Sequence, residues 1–172
     1  MNYDWLKEEK SPRILVQAIK LIGTKEIVGK EHNPTIMFWA KELKLSSVYN
    51  ADEIPWCGLF VAYCCHAAGL DVVSKPLWAL SWANWGTSVT EPMLGDVLTF
   101  KRDGGGHVGI YVGEDVTHYH VLGGNQGNAV SVSRIAKSRL FKARRTEWKI
   151  AQPANVRKVH LAAKGVITTN EK

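Results

Sequence analysis

The stretch Gly106-His107-Val108-Gly109-Ile110-Tyr111-Val112-Gly113-Glu114-Asp115-Val116-Thr117-His118-Tyr119-His120-Val121-Leu122 consists of two runs rich in β-branched and aromatic residues. Gly113-Glu114-Asp115 separates them as a turn, so the stretch reads as a β-hairpin. Working outward, Asp96 to Lys101 and Ala129 to Arg134 also read as strands, and Leu140 to Ile150 adds one or two more. Upstream of Gly95 the period is helical. Ser11-Pro12 is a cap followed by proline, and Ile14, Leu15, Ala18, Ile19 and Ile22 form a stripe that Gly23 ends. Asn33-Pro34 repeats that signal before Ile36, Met37, Trp39, Ala40 and Leu43. Pro55 opens a third helix, with Cys57, Val61, Cys64 and Ala68 on one face and Gly69 closing it. Trp78, Trp82 and Trp85 fit a short helix. Helices first and an antiparallel sheet second define an α+β fold. Val156 to Ala163 is read as a short strand or helix, and the end of the chain is expected to fray.

The hairpin makes a positional statement possible. With the turn centred near Asp115, cross-strand pairs sum to about 230 to 232, so His107 faces Gly123 or Asn125. Either register puts His107 and Asn125 on one face, with His118 and His120 on the other. By the same parity Gln126 points away. A β-bulge would overturn the argument.

Composition narrows the class. The 172 residues are 45% hydrophobic and 22% charged, which suits one compact domain with a real core, about 11–150, followed by a basic extension. The net charge is +6 and the pI about 9.3, which invites an anionic partner such as nucleic acid, acidic lipid or bacterial cell wall. Much of the excess lies in Lys137, Arg139, Lys142, Arg144, Arg145, Lys149, Arg157, Lys158 and Lys164; a solvated basic surface is the simpler account. No apolar run reaches membrane-spanning length, so no stable membrane insertion is expected. Met1 to Lys10 lacks the apolar core of a signal peptide, which implies synthesis in the cytoplasm and another delivery route to any target outside it.

Cys57, Cys64 and Cys65 are odd in number and clustered, a pattern unlike a disulfide framework. Cys57 stands just inside a helix start, where unpaired N–H groups and the macrodipole favour a thiolate. His107, on a later strand, is the matching base that takes the thiol proton and returns it to a leaving amine. An amide oxygen at Asn125 would fix the imidazole tautomer.

Four segments in order, Pro55-Trp56-Cys57-Gly58-Leu59-Phe60-Val61, Pro92-Met93-Leu94-Gly95-Asp96-Val97-Leu98-Thr99-Phe100, Gly106-His107-Val108-Gly109-Ile110-Tyr111-Val112 and Gly123-Gly124-Asn125-Gln126, resemble the NlpC-type and CHAP cysteine peptidases and amidases of peptidoglycan. These are small papain-like enzymes, and the likeness is strongest to their phage and prophage branch. It spans roughly residues 34–140. It implies a single papain-like catalytic domain over 1–172 that cuts an amide bond in peptidoglycan without a cofactor. Cys57 would be the nucleophile, His107 the base and acid, and Asn125 the orienting residue, with Gln126 the alternative orienter. Where CHAP amidases often carry an acidic residue two places before the asparagine, this chain has Gly123, which tilts the reading from N-acetylmuramoyl-L-alanine amidase towards endopeptidase. The resemblance further implies a phage lysin with holin-dependent release, or an injected effector with a cognate immunity protein. A non-catalytic wall-binding module and a basic nucleic-acid binder are the competing readings.

Other residues carry plainer expectations. Cys64, Cys65 and His66 read as structural. A zinc site is disfavoured because no C-x-x-C pair is present and parity separates His107 from His118 and His120. Trp56 and Trp82 are candidates for the floor of a substrate groove, with core packing as the competing account. Asp96 reads as a turn residue, and Asp52 and Glu53 as complements to a helix dipole.

Overall fold

The structure, a computed structural model, describes residues 2–148, 151–169 and 171. Four α-helices come first: α1 (Trp5–Glu8), α2 (Arg13–Ile19), α3 (Pro34–Glu42) and α4 (Cys57–Ala67). The Asn33 side-chain oxygen accepts from the Thr35 N–H at 2.8 Å, and Pro34 occupies the first turn, so α3 starts where its cap dictates. Helix α4 is apolar nearly all round. Cys57, Leu59, Phe60, Val61, Ala62, Cys64 and Cys65 are all buried, which makes it the central helix rather than a surface one. Gly69, at φ 70°, takes the left-handed conformation beyond its end. A 3₁₀ helix, Ala79–Asn84, carries Trp82.

Six strands follow: β1 (Thr87–Val89), β2 (Val97–Arg102), β3 (Gly105–Glu114), β4 (His118–Gly123), β5 (Ser131–Ala136) and β6 (Leu140–Arg145). They form one antiparallel sheet in the order β1-β6-β2-β3-β4-β5. This is the α+β, papain-like arrangement expected, with β3 central. Val97, Val108, Ile110, Val112 and Leu122 face the helices; α4 packs on that face, with α2 and α3 against α4. Leu98, Phe100, Tyr111, Tyr119, Val121, Ile135 and Ala143 make a second cluster on the opposite face. Strand β1 and helix α1 were not anticipated; both are too short to show a period.

The hairpin register is Ile110↔Leu122 and Tyr111↔Val121, a sum of 232, as one of the two expected registers has it. A bulge between Tyr111 and Gly113 shifts the pairing towards the turn, and the ladder runs from Ile110↔Leu122 to Glu114↔Tyr119 without reaching His107.

Residues 151–169 depart from their expectation: they form no regular element, yet they do not hang free. The Glu114 N–H donates to Val159 O at 2.8 Å, and the Leu161 N–H donates to Glu114 O at 2.7 Å. Further along, the Arg134 N–H of edge strand β5 donates to Val166 O at 2.7 Å. Lys137 pairs with Glu114, Arg139 with Glu171, Arg145 with Asp96 and Arg157 with Glu9, while the net charge of +6 already counts these carboxylates. Lys149 and the end of the strand expected through Ile150 lie outside the described residues.

Candidate active site

Two close approaches fix the start of α4. A Cβ on Gly58 would lie 2.2 Å from Pro76 O, so only glycine lets the 76–77 backbone press against the helix. A Cβ on Gly124 would lie 2.6 Å from the Phe60 Cβ and 2.7 Å from the Trp56 Cε3. Gly123 is the bridge to the other candidate residue, because its Cβ position is 3.2 Å from His107 Nε2. The Gly123-Gly124 pair therefore spans from the imidazole to the residue that caps α4.

Strand alternation explains how the thiol reaches β3. Tyr111 exchanges backbone hydrogen bonds with Gly95 and Asp96, on the β2 side, so odd residues of β3 bond towards β2 and even ones towards β4. The Val108 N–H thus points to where β4 would lie, but β4 ends at Gly123. The Cys57 thiol takes that N–H as its own hydrogen-bond donor. It approaches the strand through the gap, one peptide unit from His107.

The imidazole lies against Phe100 on the face opposite the helices, with ring centroids 6.4 Å apart. Its partner settles its tautomer. Gln126 Nε2 donates to Val121 O at 3.1 Å and to Ser131 O at 2.6 Å, so the amide nitrogen is committed. Gln126 Oε1, 3.0 Å from His107 Nε2, must then accept, which places the ring proton on Nε2. Nδ1 keeps its lone pair and has no hydrogen-bond partner. Cys57 and His107 therefore share no hydrogen bond among the described residues.

The orienting contact departs from the parity argument. Pairing stops at Gly123, and Asn125 adopts φ 57°, a left-handed turn that breaks strand alternation. Gln126, expected to point away, is the residue hydrogen-bonded to His107, while Asn125 is buried with an Oδ1 that has no partner. The Gly123-Gly124-Asn125-Gly127 surroundings, rich in turn formers, were the sequence signal that alternation would fail here.

Burial sets the protonation states. It raises the Cys57 thiol pKa, and the N–H groups of Val108 and Gly58 and the charge of Arg102 only partly oppose it. The helix start acts in the expected direction, but burial wins. Burial also drives His107 down to about 4, against the Glu171 charge and the Gln126 hydrogen bond that support the cation. In this arrangement the pair is a neutral thiol and a neutral imidazole. Cys57 is 5% exposed and His107 fully buried.

The two tryptophans expected to floor a groove are core residues. Trp56 and Trp82 are both fully buried; the first donates its indole N–H to Glu26 and the second to Pro76 O. Their rings are closed to a ligand here. Trp78 is instead 73% exposed, beside Leu45, Val48, Lys75 and Leu77, and the same 76–77 backbone touches Gly58. Nothing in its spacing set Trp78 apart from its neighbours. Cys64 and Cys65 are fully buried core residues. Asp52 accepts from the Ile27 and Asn33 N–H groups, tying down the loop before α3 rather than the start of α4. Asp96 sits in the turn before β2, accepting from the Met93 N–H and from Arg145.

No curated protein matches the chain. Residues 49–125 match the family model of the CHAP domain, a stretch that runs from just before α4 to Asn125 and so contains both Cys57 and His107. CHAP domains are generally cysteine- and histidine-dependent hydrolases of peptidoglycan. With the papain-like sheet and central helix in place around that match, residues 49–125 are similar to the CHAP domain, which is consistent with the CHAP/NlpC-type cysteine peptidase–amidase superfamily.

Proposed function

We propose that this protein hydrolyses an amide bond of peptidoglycan through Cys57, with His107 as general base and acid and Gln126 holding the imidazole. The observation that carries this reading is the committed Gln126 amide. It leaves His107 Nδ1 deprotonated and unpartnered one residue from the N–H that holds the thiol. On substrate binding the Cys57 proton passes to Nδ1 and the sulfur attacks the scissile carbonyl, with backbone N–H groups at the α4 start meeting the oxyanion. The imidazolium, stabilised through Nε2–H by the Gln126 carbonyl, then gives its proton to the departing amine. Water, activated by the same nitrogen, releases the acyl group. Asn125, buried beside Gln126 with a free acceptor, is the further polar residue of this set. Trp78 is the aromatic surface available to a wall peptide or sugar.

Between cleavage within the peptide stem and cleavage at the muramoyl–alanine bond, we favour the former, since Gly123 stands where CHAP amidases often carry an acidic residue. Action as a phage lysin or a delivered effector fits the same chemistry. Mass analysis of soluble fragments from purified peptidoglycan tests the reading. New amino termini within the stem peptide are expected, whereas free lactyl groups on the glycan would assign the amidase bond. Absence of any fragment would leave the wall-binding module, which the buried, neutral state of both side chains favours.

A further inference from the structure

We propose that Glu26 is a positioning residue for the hydrolysis, bracing Trp56 and so setting Cys57 against His107. The inference rests on the catalytic reading above. Cys57 and His107 sit on separate elements and share no hydrogen bond among the described residues, so their spacing is set by what joins the α4 start to the Gly123–Gln126 turn. Trp56 is that junction. It immediately precedes the nucleophile, is fully buried, and presses its ring on the Gly123-Gly124 backbone: a Cβ on Gly124 would lie 2.7 Å from Cε3 and 2.8 Å from Cζ3. Gly123 in turn abuts the imidazole, its Cβ position 3.2 Å from His107 Nε2. A change in the tilt of the indole therefore moves both partners.

Glu26 fixes that tilt. Its Oε2 accepts from the Trp56 indole N–H at 3.2 Å. An indole N–H closed off from water needs an acceptor, and a carboxylate is a stronger one than a neutral group. The residue that carries this carboxylate is itself held from two sides. The Glu26 N–H donates to Asn128 O at 3.0 Å, and Lys25 bridges to Ala129. The Gly23 N–H donates to Val130 O at 2.9 Å, and the Val130 N–H donates back to Thr24 O at 2.8 Å. Residues 23–26 thus run beside the turn that carries Gln126, whose own N–H donates to Ala129 O at 2.9 Å. On the other flank the Ile27 N–H donates to Asp52 Oδ2 at 2.9 Å, in the loop that leads to α4. One short segment is therefore tied to the His107 side through its backbone and to the Cys57 side through one carboxylate. The backbone ties do not depend on the side chain at 26, so the carboxylate can be tested alone.

Three variants test the brace. Glu26→Ala removes the acceptor, Glu26→Gln keeps a side-chain oxygen within reach of the indole, and Trp56→Phe removes the donor while keeping a ring against Gly124. Both kcat and KM on soluble peptidoglycan fragments are measured per folded molecule. The pH dependence of Cys57 labelling by iodoacetamide is followed alongside, with the fully buried Cys64 and Cys65 as reporters of unfolding. Glu26→Ala is expected to lower kcat by about 10²-fold, the cost of roughly a 1 Å misplacement, with KM within about twofold of the parent. Glu26→Gln should restore most of that kcat. Trp56→Phe should show a similar loss, and adding Glu26→Ala to it should cost little more, since both cut one contact. Where Glu26→Ala does not fold, Trp56→Phe carries the test. A parent-like kcat in either variant, or a loss that Glu26→Gln does not recover, would overturn the brace. A parent chain that releases no fragments would sink the hydrolase reading instead, and the labelling then decides. A Cys57 profile altered in Glu26→Ala and restored in Glu26→Gln would support the brace, and an unaltered one would overturn it.

Discussion

Replacing Gln126 with alanine removes three hydrogen bonds from one buried place and exposes the logic of the site. The amide accepts from His107 Nε2 and donates to Val121 O and Ser131 O, at 3.0, 3.1 and 2.6 Å. Each partner left without a mate in a dry setting costs about 1–3 kcal/mol. Ser131 is half-buried, so water can reach its carbonyl; the His107 N–H and the Val121 carbonyl lie in the interior. The expected loss is about 3 kcal/mol, read as a fall in the urea midpoint with an unchanged slope. Activity should fall further than stability explains. With no acceptor at Nε2 the ring is free to turn or to place its proton on Nδ1, and a misplacement of about 1 Å costs roughly 10²-fold in turnover. Nitrogen NMR of the imidazole gives the direct readout: protonated Nε2 in the unmodified chain and a mixed population in Gln126→Ala. A variant with the parent's urea midpoint and turnover would refute the reasoning, as would a parent whose His107 carries its proton on Nδ1.

Four other outcomes follow from the same coordinates. His107 has its folded pKa lowered to about 4 from 6.5, so between those values the unfolded chain binds a proton that the folded chain does not. Stability should therefore fall by about 3 kcal/mol as pH drops through that window, level off below it, and lose this component in His107→Asn; His120, also lowered by burial, adds in the same direction, and urea midpoints across pH separate the two. Gly124→Ala places a methyl 2.6 Å from the Phe60 Cβ, which should cost about 2 kcal/mol in thermal or urea unfolding and shift the α4 start enough to depress turnover. Asp115→Ala strands a buried cation. Asp115 Oδ2 accepts from Arg134 at 2.8 Å and from His120 at 3.0 Å, so the loss should reach about 3–5 kcal/mol, against little change for the exposed Lys7 partner Asp4→Ala. Trp78→Ala, at 73% exposure, should leave the unfolding midpoint within about 0.5 kcal/mol of the parent while raising KM for wall fragments; an unchanged KM would remove Trp78 from the substrate path.

Residue patterns carried the fold where each element was long enough to repeat. Asn33-Pro34 and Pro55 announced α3 and α4 within two residues, and the alternating run from His107 gave the central strand and its register. The same alternation misjudged Asn125 and Gln126, because it holds only while the chain stays extended, and a left-handed residue at 125 ends it. The tryptophans were undecidable for a related reason. Spacing groups Trp78, Trp82 and Trp85 on one element, but which ring faces water depends on what packs against that element, and Trp82 and Trp85 are both spoken for by backbone carbonyls. The path of the described C-terminal residues was illegible. Its contacts join residues such as Arg139 and Glu171, 32 positions apart, through side chains that carry no period.

The account stands on Cys57 as the atom that bonds to substrate. Rapid acid quench of the protein while it turns over soluble peptidoglycan fragments, followed by mass mapping of the peptide holding residue 57, tests that directly. A thioester adduct on Cys57, with no fragment release by Cys57→Ala, is the predicted result. Sustained release by Cys57→Ala, with no adduct on the parent chain, would contradict it.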